Sequence, residues 1–223
     1  MLNKLVVENV NRRRYKRGHP TGGATTLTKR PPRTRLAPDA RRAQLLAEAI
    51  VASADHGIAR VTHAHVAARA GVSVAAVHVY FRTRPDLVTA VLDAVAAAIT
   101  AMVAESLSHP EPPTDALLRL ATNTAAMAET VPDTVRVWLD WSSGVRADTW
   151  PRFLALQHAL QAEVAGLLGR CASAAPAASI ASAARLFVGC AHTLALMKFE
   201  DVDPAARDLF IRHMVGGTLA GLL

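Results

Sequence analysis

The side chains with the most chemistry to offer cluster in HAHVAARAGVSVAAVHVYFRTRPDL, residues 63–87. His63 and His65 stand two apart, so on a helix they point to different faces and make a poor metal pair. Ser142, Ser143 and the histidines form no triad or nucleophile elbow, and Asp201 and Asp203 bracket a loop, where they cap it or stay solvated. Gly18 and Gly23 have the spacing of a phosphate loop, but Ala24-Thr25 follows where the phosphate-reaching lysine belongs. The sequence therefore offers no catalytic constellation, metal site or cofactor motif, and reads as a non-enzyme. What it offers is contact with a phosphate backbone. Tyr80 has a phenol that can donate to a phosphate oxygen, and Arg82 and Arg84 are two guanidiniums placed to clamp the same edge.

The elements that position those groups are legible around them. Pro38 fits a first helical turn, Leu45, Leu46, Ala49 and Ile50 give an apolar face, and His56-Gly57 supplies a stop. Thr62 is an N-cap for a helix ending near Ala70. Gly71-Val72-Ser73 is a tight turn, and Ser73 caps a short helix over about 74–80, with Val74 and Val77 packing inward. Thr83 caps a long helix to about Ser106, with Pro85 in its first turn and Asp86 near the positive end of the dipole. Three short helices, the second and third joined by a glycine-containing turn, are the helix-turn-helix arrangement.

The charge is lopsided. Residues 1–42 hold twelve Lys/Arg and two acids, a net +10, whereas the rest of the chain is −3. A basic arm beside a near-neutral globule suits a polyanion partner. With its prolines and glycines, the arm over residues 1–37 reads as disordered in isolation. The N-terminus lacks the apolar core of a secretory signal. No uninterrupted apolar run approaches the ~20 residues of a membrane span, the longest candidate being Ala94 to Ala104, between Asp93 and Glu105. Cys171 and Cys190 read as two free thiols in a reducing cytoplasm.

Beyond the break at 109–113, helical periodicity predicts segments over about 114–130, 133–145, 147–172, 177–199 and 205–222, with Pro132, Pro151, Pro176 and Pro204 near their starts. The expected fold class is all-α with about nine helices: an N-terminal helix-turn-helix domain over 38–84 and a second helical domain over 85–223. The last two helices are apolar on wide faces (Leu186, Phe187, Cys190, Leu194 and Met197; Phe210, Met214 and Leu219). Gly216, Gly217 and Gly221 would let another helix approach. Two such helices from each of two subunits make a four-helix homodimer interface. Trp138, Trp141 and Trp150 either fill the core or line a cavity. Gln157 and Gln161, one turn apart, can orient a polar ligand group on an apolar wall.

GVSVAAVHVYFRTRPDL, residues 71–87, resembles the signature of the TetR family. VRVWLDWSSGVRADTWPRFL, residues 135–154, resembles its HapR/LuxR-type branch of quorum-sensing master regulators, and so does the arm KRPPRTRLAPDARRAQLL, residues 29–46. The resemblance covers roughly residues 29–215. It implies a bacterial, cytoplasmic, nucleoid-associated transcriptional regulator that binds a palindromic double-stranded operator. In that branch few recognition-helix side chains enter the major groove, the arm adds minor-groove contacts, and DNA shape adds specificity. Transferred by position, the DNA-binding set is Arg33, Arg35, Thr62, Ser73, Ala75, Ala76, His78, Val79, Tyr80, Arg82 and Arg84. Arg33 and Arg35 are expected to carry much of the sequence preference through an A·T-rich minor groove. Ser73, Ala75, Ala76 and Val79 would face the major groove, where Ala or Val can touch a thymine methyl. The branch commonly has Phe-Asn where this chain has His78-Val79. Val79 thus removes a donor and an acceptor, and His78 is core or edge packing, or a phosphate contact.

The resemblance also makes the second domain a ligand-binding and dimerisation domain. Ile99, Thr100, Val103, Trp138, Gln157, Gln161 and Cys190 match its pocket-lining positions, and a small apolar effector would act by changing the separation of the recognition helices. Two other classes compete: a sequence-tolerant, nucleoid-like DNA binder driven by the arm, and a non-DNA small-molecule binder or membrane-associated protein with the arm as a surface anchor. The lack of a basic amphipathic helix argues against a membrane partner.

Overall fold

The computed structural model describes residues 37–109 and 111–222, and these contain nine α-helices and no strand. Arg33 and Arg35, with nearly all of the basic arm, lie outside the described residues. The chain divides into two compact units, one up to Val91 and one from Leu92.

In the first unit, α1 (Pro38–His56) buries Leu45, Leu46, Ala49 and Ile50 and ends at Gly57, whose φ of 80° few side chains tolerate. Helix α2 (His63–Ala70) is capped by Thr62, whose Oγ1 accepts from the His65 amide at 3.3 Å. It closes on Gly71 in the left-handed region, φ 66°. Ser73 caps α3 (Val74–His78), its Oγ accepting from the Ala76 amide at 3.2 Å. Helix α4 (Arg84–Leu107) starts from a reciprocal cap. The Thr83 amide donates to Asp86 Oδ2 at 3.0 Å and the Asp86 amide to Thr83 Oγ1 at 3.2 Å.

Two expectations change here. Helix α3 stops at His78 rather than about Tyr80, where the chain tightens and the Tyr80 amide turns to the Val77 carbonyl at 3.0 Å, three residues back instead of four. Val74 does not pack inward and is 41% exposed. A helix of five residues inserts one side chain into the core, and that is Val77, which is fully buried.

The second unit continues with α5 (Pro113–Thr130), α6 (Pro132–Ser143), α7 (Trp150–Cys171), α8 (Ala177–Met197) and α9 (Pro204–Ala220). Proline occupies the first turn of α5, α6, α7 and α9, where its missing amide costs nothing. Asp203 caps α9 with Oδ1, which accepts from the Ala205 amide at 2.8 Å. The C-terminal end of α4 is closed by Arg119, which donates to the Ser106 carbonyl, while Asn123 donates to Ser106 Oγ at 2.9 Å. The core is built from Leu117, Trp138, Phe153, Leu168, Phe187 and Leu194.

The expectation that no segment is long enough to span a bilayer is overturned by α4 and α8. Both are long and apolar enough to cross one by length and composition. An uninterrupted run was the wrong measure: an 18-residue stretch of α4 tolerates Asp93 and still qualifies. Buried core helices pass the same test, and α8 buries Phe187, Val188 and Leu194.

Candidate functional site

The outer surface of α3 is built from small and apolar groups. Ala75 is exposed, Ala76 is half-buried, and Val79 is 76% exposed. Ala75 and Val79 share one face, since the Val79 amide bonds to the Ala75 carbonyl at 3.2 Å. Tyr80 follows, half-buried, and then Arg82, which is exposed. Among the described residues no hydrogen bond or ion pair engages the Arg82 guanidinium.

Arg84 is placed differently. Its Nε donates to the Val61 carbonyl at 3.0 Å and its Nη2 to the Ile58 carbonyl at 2.7 Å, tying the start of α4 to the turn before α2. Arg69 is likewise engaged, with Glu48 at 3.4 Å and Asp55 at 2.9 Å. Thr62 and Ser73 spend their hydroxyl oxygens as caps. His78 is edge packing. Its ring lies flat on His63 with centroids 3.9 Å apart, and its Nδ1 donates to the Arg82 carbonyl at 3.2 Å. The buried His63 donates from Nε2 to the Phe81 carbonyl at 2.7 Å. Each acceptor is a carbonyl, so each of those ring nitrogens carries its proton. Together the two imidazoles pin the segment that presents Tyr80 and Arg82. A second stacked pair, His56 and His65, joins α1 to α2 at 3.9 Å. Both pairs form across elements, so the sequence spacing of the histidines gives no hint of them.

The second unit holds a cavity of about 50 Å³, lined by Ile99, Val103, Leu120, Trp138, Val164 and Phe187 among others. The wall is apolar except for Thr124, whose hydroxyl donates to the Leu120 carbonyl at 2.8 Å. Beside Trp138 lies His192, with ring centroids 4.0 Å apart. Gln157 Nε2 donates to His192 Nε2 at 3.4 Å, and His192 Nδ1 donates to the Val188 carbonyl at 3.3 Å. Burial holds the His192 pKa below its usual value, so the ring is neutral. Trp138 Nε1 and Gln157 Oε1 are buried with no hydrogen-bond partner.

Residues 45–91, which run from α1 into α4, match the profile of bacterial regulatory proteins of the tetR family. Residues 45–91 are a TetR-family helix-turn-helix. The HTH-type transcriptional regulator LuxR of Vibrio harveyi is 38% identical over 132 residues, which are 58% of this chain and 62% of that protein. The match thus spans less than two thirds of the relative. A TetR-like regulator from Rhodococcus sp. RHA1 has the same fold over 84% of this chain and all of its own, with TM-score 0.68 at 16% identity. A transcriptional regulator from Pseudomonas aeruginosa PAO1 covers 84% of this chain and 94% of its own, with TM-score 0.69 at 19% identity.

Of the pocket positions transferred from the TetR resemblance, Ile99, Val103 and Trp138 line the cavity. Gln157 is not a lining residue and bonds instead to His192, which stacks on Trp138. Thr100 is exposed, and neither Gln161 nor Cys190 is among the lining residues. Burial pushes the Cys190 thiol up, which keeps it protonated and unreactive at neutral pH. His192 was missed from the sequence. A lone histidine in an alanine-rich helix carries no local sign that it stacks on a tryptophan more than fifty positions away.

Proposed function

We propose that this chain is a homodimeric, sequence-specific DNA-binding transcriptional regulator of the LuxR type within the TetR family. It acts in the cytoplasm at the nucleoid and has no catalytic role of its own. The observation that carries the reading is the small, exposed face of α3 next to Tyr80 and Arg82, on a TetR-family helix-turn-helix. Small side chains let the helix approach base edges, while the phenol and guanidinium meet phosphates. The basic arm, through Arg33 and Arg35, supplies minor-groove contacts. Arg84, Thr62 and Ser73 act by holding the fold of this surface.

Dimerisation through α8 and α9 is supported by exposed Leu186, Leu196 and Leu209, and by open space around Gly216 and Gly217. Two recognition helices about 34–36 Å apart then read both halves of a palindrome. An effector reading attaches to the cavity, whose volume is about a third of the ~150 Å³ that admit benzene, so a ligand must widen it. Sedimentation of a monomer at micromolar concentration would remove the dimer. A panel of apolar compounds that changes neither melting temperature nor DNA affinity would remove the effector.

The test of the main reading is binding to DNA from the chain's own upstream region, against random DNA of equal length, at two salt concentrations. Selective binding that weakens when Arg33 and Arg35 become Ala supports it. Equal binding to both DNAs with one steep salt slope supports a sequence-tolerant, nucleoid-like binder, which the +10 of residues 1–42 favours.

A further inference from the structure

We infer that Val79 reads the 5-methyl group of thymine in the major groove, so that α3 selects bases by apolar contact rather than by hydrogen bonds to their edges. The inference rests on the DNA-binding reading above and specifies how that reading works.

The polar inventory of α3 is short, namely the Ser73 hydroxyl and the His78 ring, and each is already partly engaged. Ser73 Oγ accepts from the Ala76 amide and keeps its own proton to donate. The His78 ring is covered on one face by His63 and gives its Nδ1 proton to the Arg82 carbonyl. The remaining residues of the element, Val74 to Val77, have no side-chain donor or acceptor. What the surface offers instead is an apolar knob. Val79 is 76% exposed, more than any other large hydrophobic of the described residues. It sits beside Tyr80 and three residues from Arg82, the groups that would hold phosphates at one edge of a groove. Ala75, one turn back on the same face, adds no bulk, so the knob can reach the groove floor.

Thymine C5-methyl is the apolar group that a base pair displays on the major-groove edge, and a valine methyl fits against it. Val74, at the start of α3, is 41% exposed but lies about 100° round the helix from Ala75 and about 140° from Val79. The same apolar chemistry is therefore present at two positions, of which the geometry aims one, and Val74 serves as an internal control.

The experiment uses the full chain to select duplexes from a random DNA library. The enriched duplex is then remade with single thymines replaced by deoxyuracil, which removes the methyl and keeps the base pair. Affinities are measured for the wild type, Val79→Ala and Val74→Ala. Both substitutions trim exposed side chains, so the fold is kept, which circular dichroism checks. Expected is a deoxyuracil penalty of about fourfold at one thymine per half-site for the wild type and for Val74→Ala, the worth of one buried methyl. Val79→Ala, which loses the contact in both half-sites, binds the thymine duplex about as weakly as the wild type binds a duplex substituted in both half-sites, and loses nothing further on substitution. A penalty that persists unchanged in Val79→Ala places the methyl's effect in DNA shape and overturns the inference, as does a penalty that only Val74→Ala removes or no penalty at all. If selection enriches no sequence, the regulator reading fails, and the inference with it.

Discussion

The two units of this chain differ in what surrounds their unpaired buried polar atoms. In the helix-turn-helix unit, Thr62 and Ser73 cap, Thr83 and Asp86 cap each other, and His63 and His78 hold the Phe81 and Arg82 carbonyls. Two buried atoms there, His65 Nδ1 and Arg69 Nε, lack a hydrogen-bond partner among the described residues, but His65 is stacked on His56 and Arg69 is paired with Glu48 and Asp55. In the second unit, Trp138 Nε1 and Gln157 Oε1 are buried without a partner among the described residues, and Trp138 lines the cavity. An unmade buried hydrogen bond costs more than a made one returns. The unpaired atoms of the first unit thus sit on side chains fixed by other contacts, and the second retains groups that a rearrangement or a visitor can satisfy.

The sharpest way to break the first unit is at its buried centre. Phe81→Ala removes a side chain only 1% exposed, directly after α3, and should cost about 3–5 kcal/mol in urea unfolding. It should abolish DNA binding as well. Gly71→Ala should cost about 1–2 kcal/mol. No atom lies within 4 Å of the added Cβ, so the whole penalty is the left-handed φ of 66°. An asparagine there should recover part of the loss, a result that separates backbone strain from crowding.

In the second unit the informative variable is pH. Burial depresses the His192 pKa, so between that value and the ordinary 6.5 the unfolded chain binds a proton that the folded chain does not. Stability therefore falls as pH drops below about 6.5, with a slope of at most ~1.4 kcal/mol per pH unit from this one group. His192→Gln should flatten that slope in urea titrations at successive pH values. The smallest effect belongs to Glu129, held below the usual carboxylate range by hydrogen bonds from Lys198 and Arg207. Its contribution is present at neutral pH and lost as pH falls through the lowered pKa. The group is exposed and screened, so Glu129→Gln should cost no more than a few tenths of a kcal/mol in thermal melts.

The same contrast governs what could be read from sequence. The first unit was legible because its signals are local. Thr62, Gly71, Ser73 and Thr83 each act within four residues of themselves, and the helices begin and end beside them. Arg84 escaped that logic, since its carbonyl partners lie 23 and 26 positions back. Val74 escaped because a helix this short has one inward position, and periodicity cannot say which. In the second unit the helix limits were legible from proline and apolar spacing, but the cavity was not. It depends on how five helices, α4 to α8, meet, and only Ile99, Val103 and Trp138 of the transferred positions reach it. Thr100, next to Ile99, is turned outward by the 100° step of the helix.

The His63–Phe81 hydrogen bond also supplies a spectroscopic handle. The ring proton on Nε2 is buried in a hydrogen bond whose nitrogen lies 2.7 Å from a carbonyl oxygen, so it should exchange with solvent only when the segment behind α3 opens. Its magnetic resonance signal is a clock for that opening. Compared with and without bound DNA, its exchange rate tells whether Tyr80 and Arg82 meet the duplex on a platform that is already set or one that the duplex helps to close.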